Sequence, residues 1–300
     1  MAEAVTENRM RGMGLRLATV TVFSLMAVFI KLSSDRGVKL GELMFWRQTM
    51  ALPVVLAWIA AVPGLGSIRT AKLTVHARRA AMGLVAMVCT FGALTLLPLA
   101  EATTFSFTVP LFSTLLAGLV LREQVGLHRW GAVLLGFAGV VIVLQPGQVA
   151  IPIAGAAVGL LGALAVSVTS LQIRALGKTE AATTTVFWFT SLSVPVLALI
   201  LPFVITPHDR AEWLMLGAIG TLGGIGQLFL TASLRFAPVS TVVVVDYAGL
   251  IWAALFGWLV WDHLPAPATS AGAPLIIASG LYIVWREHRL SIARAQEISI

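Results

Sequence analysis

The chain alternates between long apolar runs and short segments rich in charged and turn-forming residues. The runs are roughly 17–25 residues long, which is the length a helix needs to cross about 30 Å of hydrocarbon. They lack the apolar–polar alternation of a transmembrane β-strand. The pattern therefore predicts an all-α polytopic membrane protein with ten transmembrane helices. The predicted spans are residues 15–32, 42–62, 80–97, 102–121, 127–144, 151–173, 181–205, 213–234, 239–261 and 269–285.

The composition excludes a water-soluble domain. Hydrophobic residues make up 58% of the chain and charged residues 11%, and the mean hydropathy is +0.94. Soluble domains contain about 25% charged residues, so the solvent for most of this chain is the lipid bilayer. The pI near 10.5 does not indicate a nucleic-acid partner, because the basic residues lie in short loops between spans, where they encode topology.

The loop charges predict the orientation in the membrane. Most of the 20 lysines and arginines fall on one side if the N-terminus is cytoplasmic, as the positive-inside rule requires. The exceptions are Lys31, Arg36, Lys39, Arg210 and, inside a span, Arg47. We therefore expect a multi-pass protein of the bacterial inner membrane with both termini in the cytoplasm.

The second half of the chain repeats the first. Residues 98–144 contain a small-residue helix, an acidic turn residue at Glu123 and a glycine-spaced helix. Residues 238–285 follow the same order, with Asp262 at the turn. Because each repeat holds an odd number of spans, the second copy enters the membrane inverted.

The repeat predicts the domain organisation. We expect a first five-helix repeat at residues 14–146, a second at 150–286, and a short cytoplasmic tail at 287–300. Inverted repeats are typical of transporters, which bind their substrate near the midplane between the repeats. The same duplication also builds membrane proteins that carry nothing, so the architecture favours transport without proving it.

Several segments resemble a known family. They are residues 97–102, 109–112, 121–123, 136–141 and 236–262. These segments are similar to EamA-type members of the drug/metabolite transporter superfamily, including the aromatic amino-acid exporters, over about residues 14–285. The resemblance implies two inverted five-helix repeats and the export of amino acids, nucleosides or other metabolites, with uptake in a few members. Asp262 departs from the family pattern, in which glutamate is usual.

Two ionisable residues lie well inside the predicted spans, where each costs about 2.5–3.5 kcal/mol on insertion scales. Asp246 lies about 10 Å into the ninth span at 1.5 Å per residue. It either binds a substrate ammonium or a proton, or it is a structural carboxylate. Arg47 either captures a substrate carboxylate or forms a gate pair, or it snorkels to the outer surface. If both faced one cavity, they would hold the two ends of a zwitterion.

Four further side chains are candidates for substrate contact. Gln227 follows a glycine-rich stretch of the eighth span, so it either bridges closely packed helices or contacts substrate. Phe107, Trp188 and Tyr247 lie within spans and would line an aromatic cavity, against the alternative that they pack or face lipid. Pro110 and Pro195 interrupt their spans, and we expect them to act as hinges or kinks because the carbonyls they free can line a cavity.

Absent motifs narrow the functional class. The sequence contains no phosphate-binding loop for ATP hydrolysis and no His/Cys cluster with metal spacing, so we expect no cofactor, no metal and no enzyme activity. The expected function is secondary transport of a small-molecule substrate, most directly export of amino acids or related metabolites by alternating access. Two alternatives stay open, namely uptake of a nucleotide-like metabolite and a membrane-embedded lipid-processing enzyme. A homodimer also stays open as an alternative to a monomer.

Overall fold

The computed structural model describes residues 9–62, 64–120, 122, 125–144, 151–177, 179–236 and 245–298. This part of the chain folds into α-helices joined by short connections, with one short 3-10 helix at Leu65–Ile68. The helices are α1 (Arg9–Asp35), α2 (Leu40–Ala61), α3 (Leu73–Leu96), α4 (Leu99–Ser106), α5 (Val109–Leu119), α6 (Leu127–Leu144), α7 (Ile153–Leu176), α8 (Ala182–Val204), α9 (Arg210–Phe236), α10 (Ala248–Trp261) and α11 (Pro267–Ile298).

The helices confirm the predicted all-α membrane fold. Within the described residues, nine helical segments are long and apolar enough to cross a membrane, with α4 and α5 together forming one of them. The shorter apolar helix α10 stands where the ninth span is predicted. The first part of that predicted span, residues 239–244, lies outside the described residues, as does Glu123. Large apolar side chains such as Leu134 and Phe203 point away from the protein, as expected of a surface that faces lipid.

Two helices extend furthest beyond their predicted spans. α3 begins at Leu73 rather than at residue 80, so Arg79 lies inside the helix and not in a loop. α11 continues to Ile298, well past the predicted end at residue 285 and through most of the predicted tail. Both differences have one cause: charged residues end an apolar run, but they do not end a helix, because Arg, Lys and Glu are good helix formers.

The helix packing shows the inverted repeat directly. By position in the two repeats, α1 corresponds to α7, α2 to α8, α3 to α9, α4 with α5 to α10, and α6 to α11. α1 packs along α9, and its counterpart α7 packs along α3. α2 packs on α9 and its counterpart α8 on α3, while α6 packs on its own counterpart α11. Each contact is thus reproduced when the repeats are exchanged, so the core lies between the two repeats rather than within either.

The crossing of α6 and α11 depends on two glycines. A methyl group on Gly272 would lie 2.5 Å from the Gly139 carbonyl oxygen and 2.6 Å from a Val143 side-chain carbon. We expect Gly272→Ala to lower stability by about 1–3 kcal/mol through overpacking, seen as a lower melting temperature in detergent. Gly131→Ala, on α6 with nothing within 4 Å, is the matched control. Equal melting temperatures for the two variants would refute this crossing.

Candidate functional site

Two interrupted spans meet between the repeats. α4 ends at Ser106 and α5 begins at Val109, so the fourth span is broken around Phe107. In the ninth span, Tyr247 directly precedes α10. Phe107 and Tyr247 occupy equivalent places in the two repeats, and their ring centroids lie 4.9 Å apart. Discontinuous helices of this kind form the substrate sites of transporters built from inverted repeats.

The Tyr247 hydroxyl reaches across this junction into space that a glycine leaves open. It lies directly against the backbone of Gly280 on α11, and Pro110, at the start of α5, borders the same place. The hydroxyl is buried and has no hydrogen-bond partner among the described residues. A buried unpaired hydroxyl costs free energy, so this group is available to a polar ligand atom.

Asp246 forms a two-point ion pair with Arg16 of α1. The Arg16 Nε atom donates to Oδ1 at 2.5 Å and an Nη atom donates to Oδ2 at 2.6 Å. The side chains are 13% and 31% exposed, so the pair is only partly screened by solvent. Sequence reasoning placed Arg16 among the cytoplasmic topology residues and missed this pairing. A ligand ammonium at Asp246 would therefore compete with Arg16.

Arg47 lies in a different part of the molecule. Its side chain is 7% exposed, so it does not snorkel to the outer surface, and its Nη1 donates to Gln48 Oε1 at 2.5 Å. Gly223 and Met26 border the Arg47 guanidinium. Because Met26 and Arg16 are ten residues apart on α1, Arg47 and Asp246 are separated by about 15 Å along that helix. The structure thus does not bring together the two residues of the zwitterion hypothesis.

The other predicted residues take varied places. Trp188 donates from Nε1 to the Ile68 carbonyl oxygen at 2.9 Å, so it fastens the α2–α3 connection rather than joining Tyr247. Gln227 is half-buried on α9, one turn beyond Gly223. Pro195 lies inside α8, which continues through it, whereas the break in the fourth span directly precedes Pro110.

A buried carboxylate joins the two repeats on the face predicted to be outer. Glu42, at the head of α2, is fully buried and lies 2.5 Å from His208 Nε2 in the α8–α9 connection. The backbone N–H and hydroxyl of Thr206 both donate to the same carboxylate at 3.3 Å. Glu212 contacts the other ring nitrogen of His208 at 3.2 Å. We term Glu42 and His208 the outer Glu–His pair.

The opposite face carries the counterpart. Glu180, just before α8, accepts a hydrogen bond from the Thr70 hydroxyl at 3.0 Å. His76 near the start of α3 lies with Nε2 at 3.8 Å from Glu180 Oε2. We term Glu180 and His76 the inner Glu–His pair. Its separation exceeds a hydrogen bond, so the inner pair is looser than the outer one.

The outer and inner Glu–His pairs occupy equivalent positions in the two repeats. In each, a glutamate at the head of a repeat's second span faces a histidine at the head of the other repeat's third span, with a threonine beside it. Glu42, Glu180 and the two histidines were not identified as candidates from the sequence, and so both pairs were missed. The available signal was the recurrence of a glutamate before the second span and a Thr…His sequence before the third.

The outer Glu–His pair predicts a pH dependence of stability. Burial lowers the pKa of the His208 imidazole, but hydrogen bonds to Glu42 and Glu212 and their negative charges outweigh burial, so the pKa is raised above its ordinary 6.5. Protonated His208 therefore stabilises the fold fully below pH 6.5, and this contribution is lost as the pH rises through the raised pKa.

We expect the melting temperature in detergent to fall over that pH range, and His208→Asn to remove this part of the fall. His128→Asn, at an exposed position, should retain it. An identical pH profile for His208→Asn and the wild type would contradict the assignment.

Among the described residues, no group of three or more His, Cys, Asp or Glu side chains is placed to hold a metal ion.

Known proteins are similar to this chain, and the family match falls into two parts that correspond to the two repeats. The chain matches the EamA-like transporter family over residues 10–145 and again over residues 153–285. It is similar to a pseudopaline exporter of Pseudomonas aeruginosa, with 29% identity over 88% of this chain and 92% of the exporter. A riboflavin transporter of Rhizobium johnstonii is 31% identical over 82% of this chain and 81% of its own length. An S-adenosylmethionine uptake transporter of Rickettsia prowazekii is 25% identical over the same shares.

Proposed function

Since the chain belongs to the EamA-like transporter family, we propose that it is a secondary transporter that exports amino acids or related small metabolites across the inner membrane by alternating access. Export is supported by the similarity to the pseudopaline exporter. The orientation with both termini cytoplasmic is supported by the loop charges. The family and the relatives are transporters rather than enzymes, which argues against a lipid-processing enzyme.

The observation that carries this proposal is the pair of equivalent Glu–His contacts on opposite faces. Alternating access requires that the protein close one face while the other opens, and a two-fold exchange of the repeats provides this. A contact that joins the repeats at each face is the element such an exchange would make and break. The outer pair at 2.5 Å and the inner pair at 3.8 Å differ in the direction expected of a state closed more tightly outside.

The junction of the interrupted spans supplies the substrate site in this mechanism. Tyr247 and Phe107 offer an aromatic surface, and the Tyr247 hydroxyl offers a hydrogen-bonding group. Asp246 exchanges its Arg16 partner for a substrate ammonium or a proton, which couples binding to rearrangement of α1 against α10. Pro110 is the hinge of the fourth span, where the helix is already broken.

Uptake is the second candidate, because one relative is an S-adenosylmethionine uptake transporter. Alternate closing of the outer and inner faces serves either direction of transport, since a secondary transporter moves solute down the combined gradients of the solute and any coupled ion. The direction of transport depends on whether solute movement is coupled to a proton gradient. Flux measured with and without an imposed pH gradient distinguishes these cases.

The experiment is flux through purified protein in liposomes with a panel of labelled amino acids and metabolites, including a nucleoside and S-adenosylmethionine. Measurements with and without an imposed pH gradient separate proton-coupled from uncoupled transport. We expect saturable flux of amino-acid-like solutes that responds to the gradient. Saturable flux restricted to nucleoside-like solutes would favour the uptake candidate, and no flux across the panel from folded protein would count against transport of this class.

A further inference from the structure

Two buried arginines of the first repeat lie where it packs against the second repeat. Arg47 on α2 and Arg79 on α3 are 7% and 8% exposed. Arg47 lies about 10 Å from the outer end of its helix and Arg79 about 9 Å from the inner end of its own. Arg79 is near enough to Arg47 to feel its positive charge. Two like charges are thus held together in an apolar environment, where each is costly.

Among the described residues, no carboxylate forms an ion pair with either arginine. Arg47 donates to the neutral amide of Gln48, and its Nε has no hydrogen-bond partner in the described part of the chain. Arg79 lies over the ring of Phe189 on α8, with 3.9 Å from its central carbon to the ring centroid. The Nε and Nη1 atoms of Arg79 likewise have no hydrogen-bond partner among the residues that the structure describes.

Two glycines let the helices pack closely against the arginine side chains. A methyl group on Gly223 of α9 would lie 3.2 Å from Arg47 Nε. One on Gly83 of α3 would lie 3.0 Å from Arg79 Nη1 and 2.6 Å from a Phe189 ring carbon. Larger residues at these positions would therefore displace the two arginine side chains. Helices α2 and α3 belong to the first repeat and α8 and α9 to the second, so the arginines lie where inverted-repeat transporters bind substrate.

We propose that Arg47 and Arg79 are the binding site for the acidic groups of an anionic metabolite that carries two carboxylates. Each guanidinium presents a rigid fork of N–H donors that matches a carboxylate in two-point geometry. A dianion balances both charges, whereas a monoanion leaves one unbalanced. This inference rests on the proposed function and narrows its substrate class to amino or organic dicarboxylates.

The test measures binding and transport by the purified full-length chain. Binding is read as the rise in melting temperature with L-glutamate and succinate, with dimethyl succinate as the neutral probe of the same backbone. Flux of labelled glutamate and succinate is measured in liposomes. The variants are Arg47→Gln, Arg79→Gln and Arg79→Lys. The control is Arg78→Gln, at the exposed neighbouring position, which makes the same change in charge.

We expect the dicarboxylates, but not the diester, to raise the melting temperature of the wild type. Arg47→Gln and Arg79→Gln should weaken apparent affinity tenfold or more, Arg79→Lys less, and Arg78→Gln not at all. Without ligand, the two glutamine variants should melt no lower than the wild type, because each removes one of two repelling charges. A purely structural arginine would instead leave those variants less stable.

Three results would overturn the proposal: no dicarboxylate binding by the wild type, wild-type affinity in Arg79→Gln, or glutamine variants that melt well below the wild type. Flux of neutral solutes without dicarboxylate binding would reject the dicarboxylate site while leaving the transporter intact. Dicarboxylate binding that depends on Arg79, without flux of any solute, would support the site and reject the proposed transport.

Discussion

Asp246→Asn is expected to reduce transport about 100-fold while leaving folded protein in the membrane. The substitution keeps the shape of the side chain but removes the charge that pairs with Arg16 at two points. In the proposed mechanism Asp246 also pairs with a substrate ammonium, and removing one partner of such a charge pair costs about 2–5 kcal/mol of binding free energy. This pair is partly exposed, so we take about 3 kcal/mol, which corresponds to roughly 100-fold. Flux in liposomes and the melting temperature of the same preparation provide the measurement.

Asp262→Asn is the matched control for this change. Asp262 is exposed and adopts a positive φ of 51°, a conformation that asparagine also tolerates, so transport should be unaffected. A charge exchange sharpens the test: Arg16→Asp with Asp246→Arg should recover part of the flux that either single substitution loses. Wild-type flux in Asp246→Asn would remove Asp246 from the mechanism.

Glu42→Ala is expected to have the largest effect on stability. The Glu42 carboxylate receives hydrogen bonds from Thr206 and Trp46 as well as from His208. Its loss leaves several buried donors without an acceptor, at a cost of about 3–5 kcal/mol. We expect a clearly lower melting temperature and a loss of the outer closure, measured as increased labelling of cysteines introduced next to His208.

Glu212→Ala is the comparison variant, because Glu212 contacts the same histidine from α9 but is 16% exposed. Its effect on the melting temperature should be smaller than that of Glu42→Ala. Equal effects would mean that His208 is held within its own segment rather than by α2, and that the outer Glu–His pair does not join the repeats.

The apolar pattern was sufficient to predict the fold, but not the pairing of its charges. Run length decides whether a helix can span the bilayer, so the spans were predictable from local sequence. The recurrence of the same segment order in the second half of the chain predicted the inverted repeat. Arg16 and Asp246 are 230 positions apart, and no local pattern indicates that they meet. The Phe107–Tyr247 contact, by contrast, joins equivalent positions of the two repeats. The internal repeat therefore indicated which residues could meet there.

Charges at span ends were the weakest part of the sequence-based interpretation. Glu42 and Glu101 lie at or next to the ends of predicted spans, where an exposed charged side chain costs little, and neither was a candidate. Both are buried, and Glu101 accepts hydrogen bonds from the Ala266 N–H and the Thr269 hydroxyl at the start of α11. Arg79 was placed in a loop because the apolar run begins only after it. Position along a span gives depth, but burial depends on which helix packs there.

In the proposed mechanism each face must open for transport, and reversible cross-linking can hold either face closed. Cysteines replace exposed residues beside the two Glu–His pairs, at Lys39 and Pro207 outside and at Lys72 and Ala181 inside. Cys89→Ser removes the single native cysteine. A short, reducible thiol cross-linker is applied in liposomes, with single-cysteine variants as controls. Alternating access predicts that either cross-link alone abolishes flux and that reduction restores it. Undiminished flux with either face cross-linked would contradict it.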